Sequence, residues 1–74
     1  MPHVSIKHFP PHLDADQTST LVAAITNAVR AAFSCDEAVI SITLEPVARA
    51  AWNERVYVPD IVNSTATLVK VPNY

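Results

Sequence analysis

HVSIKHFPPHLDADQTSTLVAAITNAVRAAF, residues 3–33, changes its hydrophobic period once, and that change decides the fold. From His3 to Phe9 the side chains alternate. Val4, Ile6 and His8 point one way; His3, Ser5, Lys7 and Phe9 point the other, which predicts a strand. Pro10 and Pro11 stop it, because neither can donate to a ladder. From Asp14 to Phe33 the period becomes helical. Leu21, Ile25, Ala28, Val29, Ala32 and Phe33 form one apolar stripe, and Thr20, Asn27 and Arg30 fall on the wet side. Asp14 suits the N-cap, and Gln17 three residues later completes a capping-box pattern. Asp14 and Asp16 also suit the positive end of the helix dipole.

Beyond the helix, Ser34 to Glu37 reads as a loop and Ala38 to Glu45 as a second strand, with Ile40, Ile42 and Leu44 on one face. Pro46 ends it and opens a short helix, on which Val47, Ala51, Trp52, Arg55 and Val56 share a face. Pro59 is expected to break that helix. The tail from Asp60 to Tyr74 is coiled, with ATLVKV readable as a strand or a helical turn. A helix of about 20 residues spans about 30 Å, enough to carry the chain back to the start of the sheet. The expected fold is therefore α/β (α+β): a parallel βαβ unit, one long helix and a helical or coiled tail.

Size bounds the rest. Seventy-four residues make one domain, residues 1–74, which alone is marginal. The single Cys35 cannot form an internal disulfide, and His3, His8 and His12 show no metal-ligand spacing. Oligomerisation remains as the source of further burial and of further strands for a two-stranded sheet. A net charge of −2 with scattered basic residues carries no nucleic-acid footprint. No apolar run reaches a membrane span, and no signal-peptide pattern opens the chain, so a cytoplasmic location is expected. The absence of glycine argues against phosphate-cradling loops.

Several stretches together resemble one family. MPHVSIKHFP, SITLEPV, Trp52, VYVPDI and the closing KVPNY look like the tautomerase superfamily, the 4-oxalocrotonate tautomerase-like fold. The likeness covers the whole chain and is nearest to the small dimeric branch that includes phenylpyruvate-type tautomerases. It implies a cofactor-free isomerase acting on 2-oxo acids or their enols. Pro2, freed by removal of Met1, would be the general base. The likeness also implies a homo-oligomer, with a dimer favoured over a hexamer because the tail after Pro59 would cover the stacking surface.

Elementary chemistry suits that role. A terminal amine in an apolar pocket is biased toward its neutral, basic form, and a nearby cation such as Lys7 would add to this. Val4, Ile40 and Trp52 are candidates for the pocket wall. The family's better-known members carry arginines at positions that here fall on Pro11 or His12 and near Ile40. A monocarboxylate with an aromatic or apolar tail therefore fits better than a dicarboxylate. His12, or Arg49 or Arg55 of a partner subunit, is the candidate to hold its carboxylate.

Plainer readings stand beside these. Pro2 serves as a spacer at a strand start, His12 is solvated, and Trp52 is core. Cys35, in a loop beside Asp36 and Glu37, is not expected to be a nucleophile. Two other functions fit the same scaffold: hydration or dehalogenation of an unsaturated acid with Pro2 as acid, and a non-catalytic dimeric binding module.

Overall fold

The computed structural model describes residues 1–74. Strand β1 spans His3–His8, helix α1 Ala15–Phe33 and strand β2 Ser41–Pro46. The strands pair in parallel, from His3 opposite Ser41 to His8 opposite Pro46. With a helix between two parallel strands, this is the βαβ unit that the change of period predicts.

The start of α1 follows its sequence closely. Asp14 Oδ1 accepts from the Gln17 backbone N–H at 2.7 Å, and Gln17 Oε1 accepts from the Asp14 N–H at 3.0 Å. Both halves of the capping box are thus made, satisfying two backbone donors at the helix entrance. Thr18, Leu21, Val22, Ile25, Thr26 and Val29 form its half-buried face. Ala28, Ala32 and Phe33, expected on that stripe, are exposed. Val29 and Phe33 of α1 share a cleft with Val4, which places the helix over the Val4 face of the sheet. The opposite face, carrying Ser5 and Lys7, meets Trp52, Val56 and Asp60.

Two boundaries around β2 differ from expectation. Residues 37–39 form a single 3₁₀ turn, because the Asp36 carboxylate accepts from the Ala38 N–H and nucleates a turn before β2. Pro46 belongs to β2, whose final position needs no donor from it. Its neighbour Val47 continues the pairing through a 2.7 Å bond from its N–H to the His8 carbonyl.

Pro59 does not break the following helix. A 3₁₀ turn over Arg49–Ala51 leads into a π-helix over Asn53–Ile61, and a second 3₁₀ turn covers Val62–Ser64. Inside an α-helix the proline ring clashes with the carbonyl four residues back. The wider i→i+5 turn accommodates it. The expected shared face survives in part: Val56 is buried, Ala51 and Trp52 are half-buried, and Arg55 is exposed. The tail from Leu68 onward has no regular structure.

Only Val47 and Val56 are fully buried, at 0% and 6% exposure. The core therefore sits where the end of β2 meets the helical second half. No helix is long and apolar enough to cross a membrane.

Candidate active site

Pro2 stands at the N-terminal mouth of β1, half-buried. Its carbonyl accepts from the Ser41 N–H at 3.2 Å, which anchors the residue to β2 just before the ladder begins. Continuing the register back by one residue sets Ile40 beside it. A cleft of about 430 Å³ surrounds Pro2, walled by Val4, Val29, Phe33 and Cys35. This volume lies within the range of small-molecule sites. Most of that lining was not foreseen. Val29 and Phe33 are legible as a helical stripe and Cys35 as a loop residue, and the crossover length returns the end of α1 to the start of the sheet; which of these side chains face Pro2 is not legible. His3 and the fully exposed Met1 complete the lining.

Trp52 occupies a different place. Its ring meets Phe9 edge to face, with centroids 4.9 Å apart and planes at 76°. Its indole Nε1–H donates to the Tyr74 hydroxyl oxygen at 3.3 Å. Tyr74 in turn lies 5.8 Å from the Tyr57 ring. Phe9, Trp52 and Tyr74 line a groove of about 430 Å³, and the Arg49 guanidinium lies 4.4 Å from the Phe9 centroid. Four of the chain's five aromatic rings thus gather here. The tail residue Tyr74 had no local signal linking it to Trp52.

Pro2 and Phe9 lie at opposite ends of β1, separated by about 23 Å of extended chain. Within one chain, the structure therefore does not bring Trp52 to Pro2. His12 is exposed in the loop between β1 and α1, with no side-chain hydrogen bond. Lys7 pairs with Asp60 at 2.7 Å on the face turned away from Val4. It lies about 16 Å of strand from Pro2, too far for an exposed charge to act strongly through solvent.

His3 Nδ1 lies 2.6 Å from Ser41 Oγ, a cross-strand pair within the chain. His8 Nδ1 lies 2.8 Å from the Phe9 carbonyl, which can only accept, so that nitrogen carries the proton. No three His, Cys, Asp or Glu side chains are grouped to hold a metal ion.

Comparison with known proteins bears on what this arrangement is for. The chain is 34% identical to Tautomerase PptA of Escherichia coli (strain SMS-3-5 / SECEC) over 74 residues. That match takes in all of this chain and 97% of the relative. It is 36% identical to Tautomerase PptA of Klebsiella pneumoniae (strain 342), with the same coverage of both chains. The chain belongs to the tautomerase superfamily. No family model matches it. A tautomerase-type function and a small α+β fold thus agree with each other. The Pro2 cleft and the aromatic groove are two of the concave places on the chain with apolar walls.

Proposed function

We propose that the chain is a cofactor-free keto–enol tautomerase of 2-oxo acids or their enols, with Pro2 as general base after Met1 is removed. The observation that carries this reading is the position of Pro2: the first residue before β1, anchored by Ser41 and walled by Val4, Val29 and Phe33. Apolar walls disfavour an ammonium ion, so the amine spends more of its time as the free base. The neutral nitrogen takes a proton from an enol hydroxyl, or from the carbon beside a ketone. The substrate's electron pair shifts, and the resulting ammonium returns the proton at the other position. No bond other than those to hydrogen and the shifting π-bond changes.

Absence of the family's two arginines favours a monocarboxylate, and an aromatic one such as phenylpyruvate suits a chain that gathers its rings at Trp52. The assembly in this reading is a cytoplasmic homodimer. A second copy would bring Trp52 within reach of Pro2, with Ile40 beside Pro2 and His12 at the entrance.

The test is ketonisation of phenylenolpyruvate by protein whose N-terminus is verified as Pro2. Pro2→Ala should lower the rate by about 10²-fold or more, and protein retaining Met1, whose Pro2 nitrogen is an amide, should be silent. The base is active only when deprotonated, so the rate should rise with pH through the amine's titration and then level. A rate that instead rises as pH falls, or a Pro2→Ala variant as fast as the parent, would sink the base role.

A further inference from the structure

The sheet face turned away from Val4 carries three cross-strand pairs: His3 opposite Ser41, Ser5 opposite Thr43 and Lys7 opposite Glu45. The first pair is joined through its side chains, His3 Nδ1 lying 2.6 Å from Ser41 Oγ. The other two are not: Lys7 turns to Asp60 and Glu45 to Arg55, and Ser5 and Thr43 share no side-chain hydrogen bond. The cross-strand side-chain bond thus stands at the end of the sheet that carries Pro2. Ser41 also donates its backbone N–H to the Pro2 carbonyl at 3.2 Å. One residue therefore holds the Pro2–His3 peptide twice, through its backbone and through its side chain.

The two strand entrances are unequal. That of β2 is braced: the Asp36 carboxylate caps the turn over Glu37–Val39, and the Ile40 N–H donates to the Glu37 carbonyl at 3.1 Å. That of β1 begins at Pro2 beside the fully exposed Met1, and chain ends fray unless tied down. Once Met1 is removed, the pyrrolidine ring fixes the nitrogen on the Pro2 Cα, and one torsion, the ψ of Pro2, sets where it points. Holding the Pro2–His3 peptide against Ser41 holds that torsion. We propose that His3 is a positioning residue, whose bond to Ser41 aims the Pro2 amine into its cleft. The inference rests on the reading of Pro2 as base and adds the residue that directs it. Both side chains of the pair are exposed, so their bond contributes little to stability and supplies direction instead. Either neutral tautomer of His3 can make it, because a hydroxyl both donates and accepts.

The test is steady-state ketonisation of phenylenolpyruvate by the full chain with a verified Pro2 N-terminus, kcat and KM being measured separately. His3→Phe and Ser41→Ala should each lower kcat about tenfold, with KM within about twofold of the parent. The double variant should be no slower than either single one, because both remove the same bond. His3→Asn, whose amide reaches the place of Nδ1, and Ser41→Thr, which keeps the hydroxyl, should recover most of the rate. The pH at which the rate rises should stay where it is in the parent. Ser5→Ala, one pair further along the same face, should leave kcat unchanged. If His3→Phe fails to fold, Ser41→Ala against Ser41→Thr carries the test.

A parental kcat in folded His3→Phe or Ser41→Ala overturns the proposal. So do losses that add in the double variant, or a His3→Asn as slow as His3→Phe. A loss confined to KM would show His3 acting on the substrate, and a moved pH midpoint would show it acting on the amine's charge; either result overturns the positioning role. A Pro2→Ala variant as fast as the parent removes the base reading and this inference with it. A slow Pro2→Ala beside an unimpaired His3→Phe refutes this inference alone.

Discussion

Ser34 ends α1 at φ 52° and ψ 47°, the left-handed region. An L-residue with a side chain pays about 1–2 kcal/mol there. Glycine usually fills such a position, and this chain has none. Replacing Ser34 by Gly should therefore stabilise the fold by roughly 0.5–1 kcal/mol, part of the relief being lost to a freer unfolded chain. Urea unfolding should show a higher midpoint at unchanged slope; a lower midpoint would mean that the serine side chain contributes more than the backbone costs. Also at this scale, Lys7 reads in sequence as an ordinary edge charge or as a cation acting on Pro2. The structure spends it on Asp60. Strand alternation already set Lys7 on the face away from Val4, but no local pattern names a partner 53 residues away.

At the scale of elements, α1 was the most legible part of the chain. Its cap, its direction and half of its stripe follow from spacing of 3.6 residues. Asp14→Ala removes one half of the capping box and should cost about 1 kcal/mol. Thermal unfolding followed by circular dichroism checks this, and a loss within error of zero would mean that Gln17 and water suffice. The helical second half was legible in position but not in kind. A proline inside helical periodicity reads as a stop, because propensity describes an α-helix. Here the chain widens to a π-helix over Asn53–Ile61, with Val56 buried within it. Burial outweighs the local rule, and the same turns carry Trp52 and Asp60 over the Ser5–Lys7 face.

The whole molecule exposes more surface than a lone domain should. Its accessible area is 5615 Å², against roughly 4,450 Å² for a folded monomer of this mass. Its radius of gyration is 13.9 Å, against roughly 11 Å for this length. The excess, roughly 1,200 Å², is comparable with one partner's share of a stable interface. Two of 74 residues are buried, and Phe33 beside the Pro2 cleft is 68% exposed. Stability should therefore depend on association. The thermal midpoint should rise with protein concentration over a roughly hundredfold range, and a constant midpoint would show that the single chain is stable by itself.

By itself, the sequence determined the βαβ order, the capped helix, the parallel pairing and the place of Pro2 before the first strand. These rest on periods of two and 3.6 residues and on proline and cap chemistry, all of which act between near neighbours. Only the tertiary structure decided which distant residues share a cleft: Val29, Phe33 and Cys35 around Pro2, and Arg49, Trp52 and Tyr74 around Phe9. A periodic pattern says which face a side chain occupies. What it meets there depends on how the connecting loops close and on where apolar surface can be covered, and both are properties of the chain as a whole.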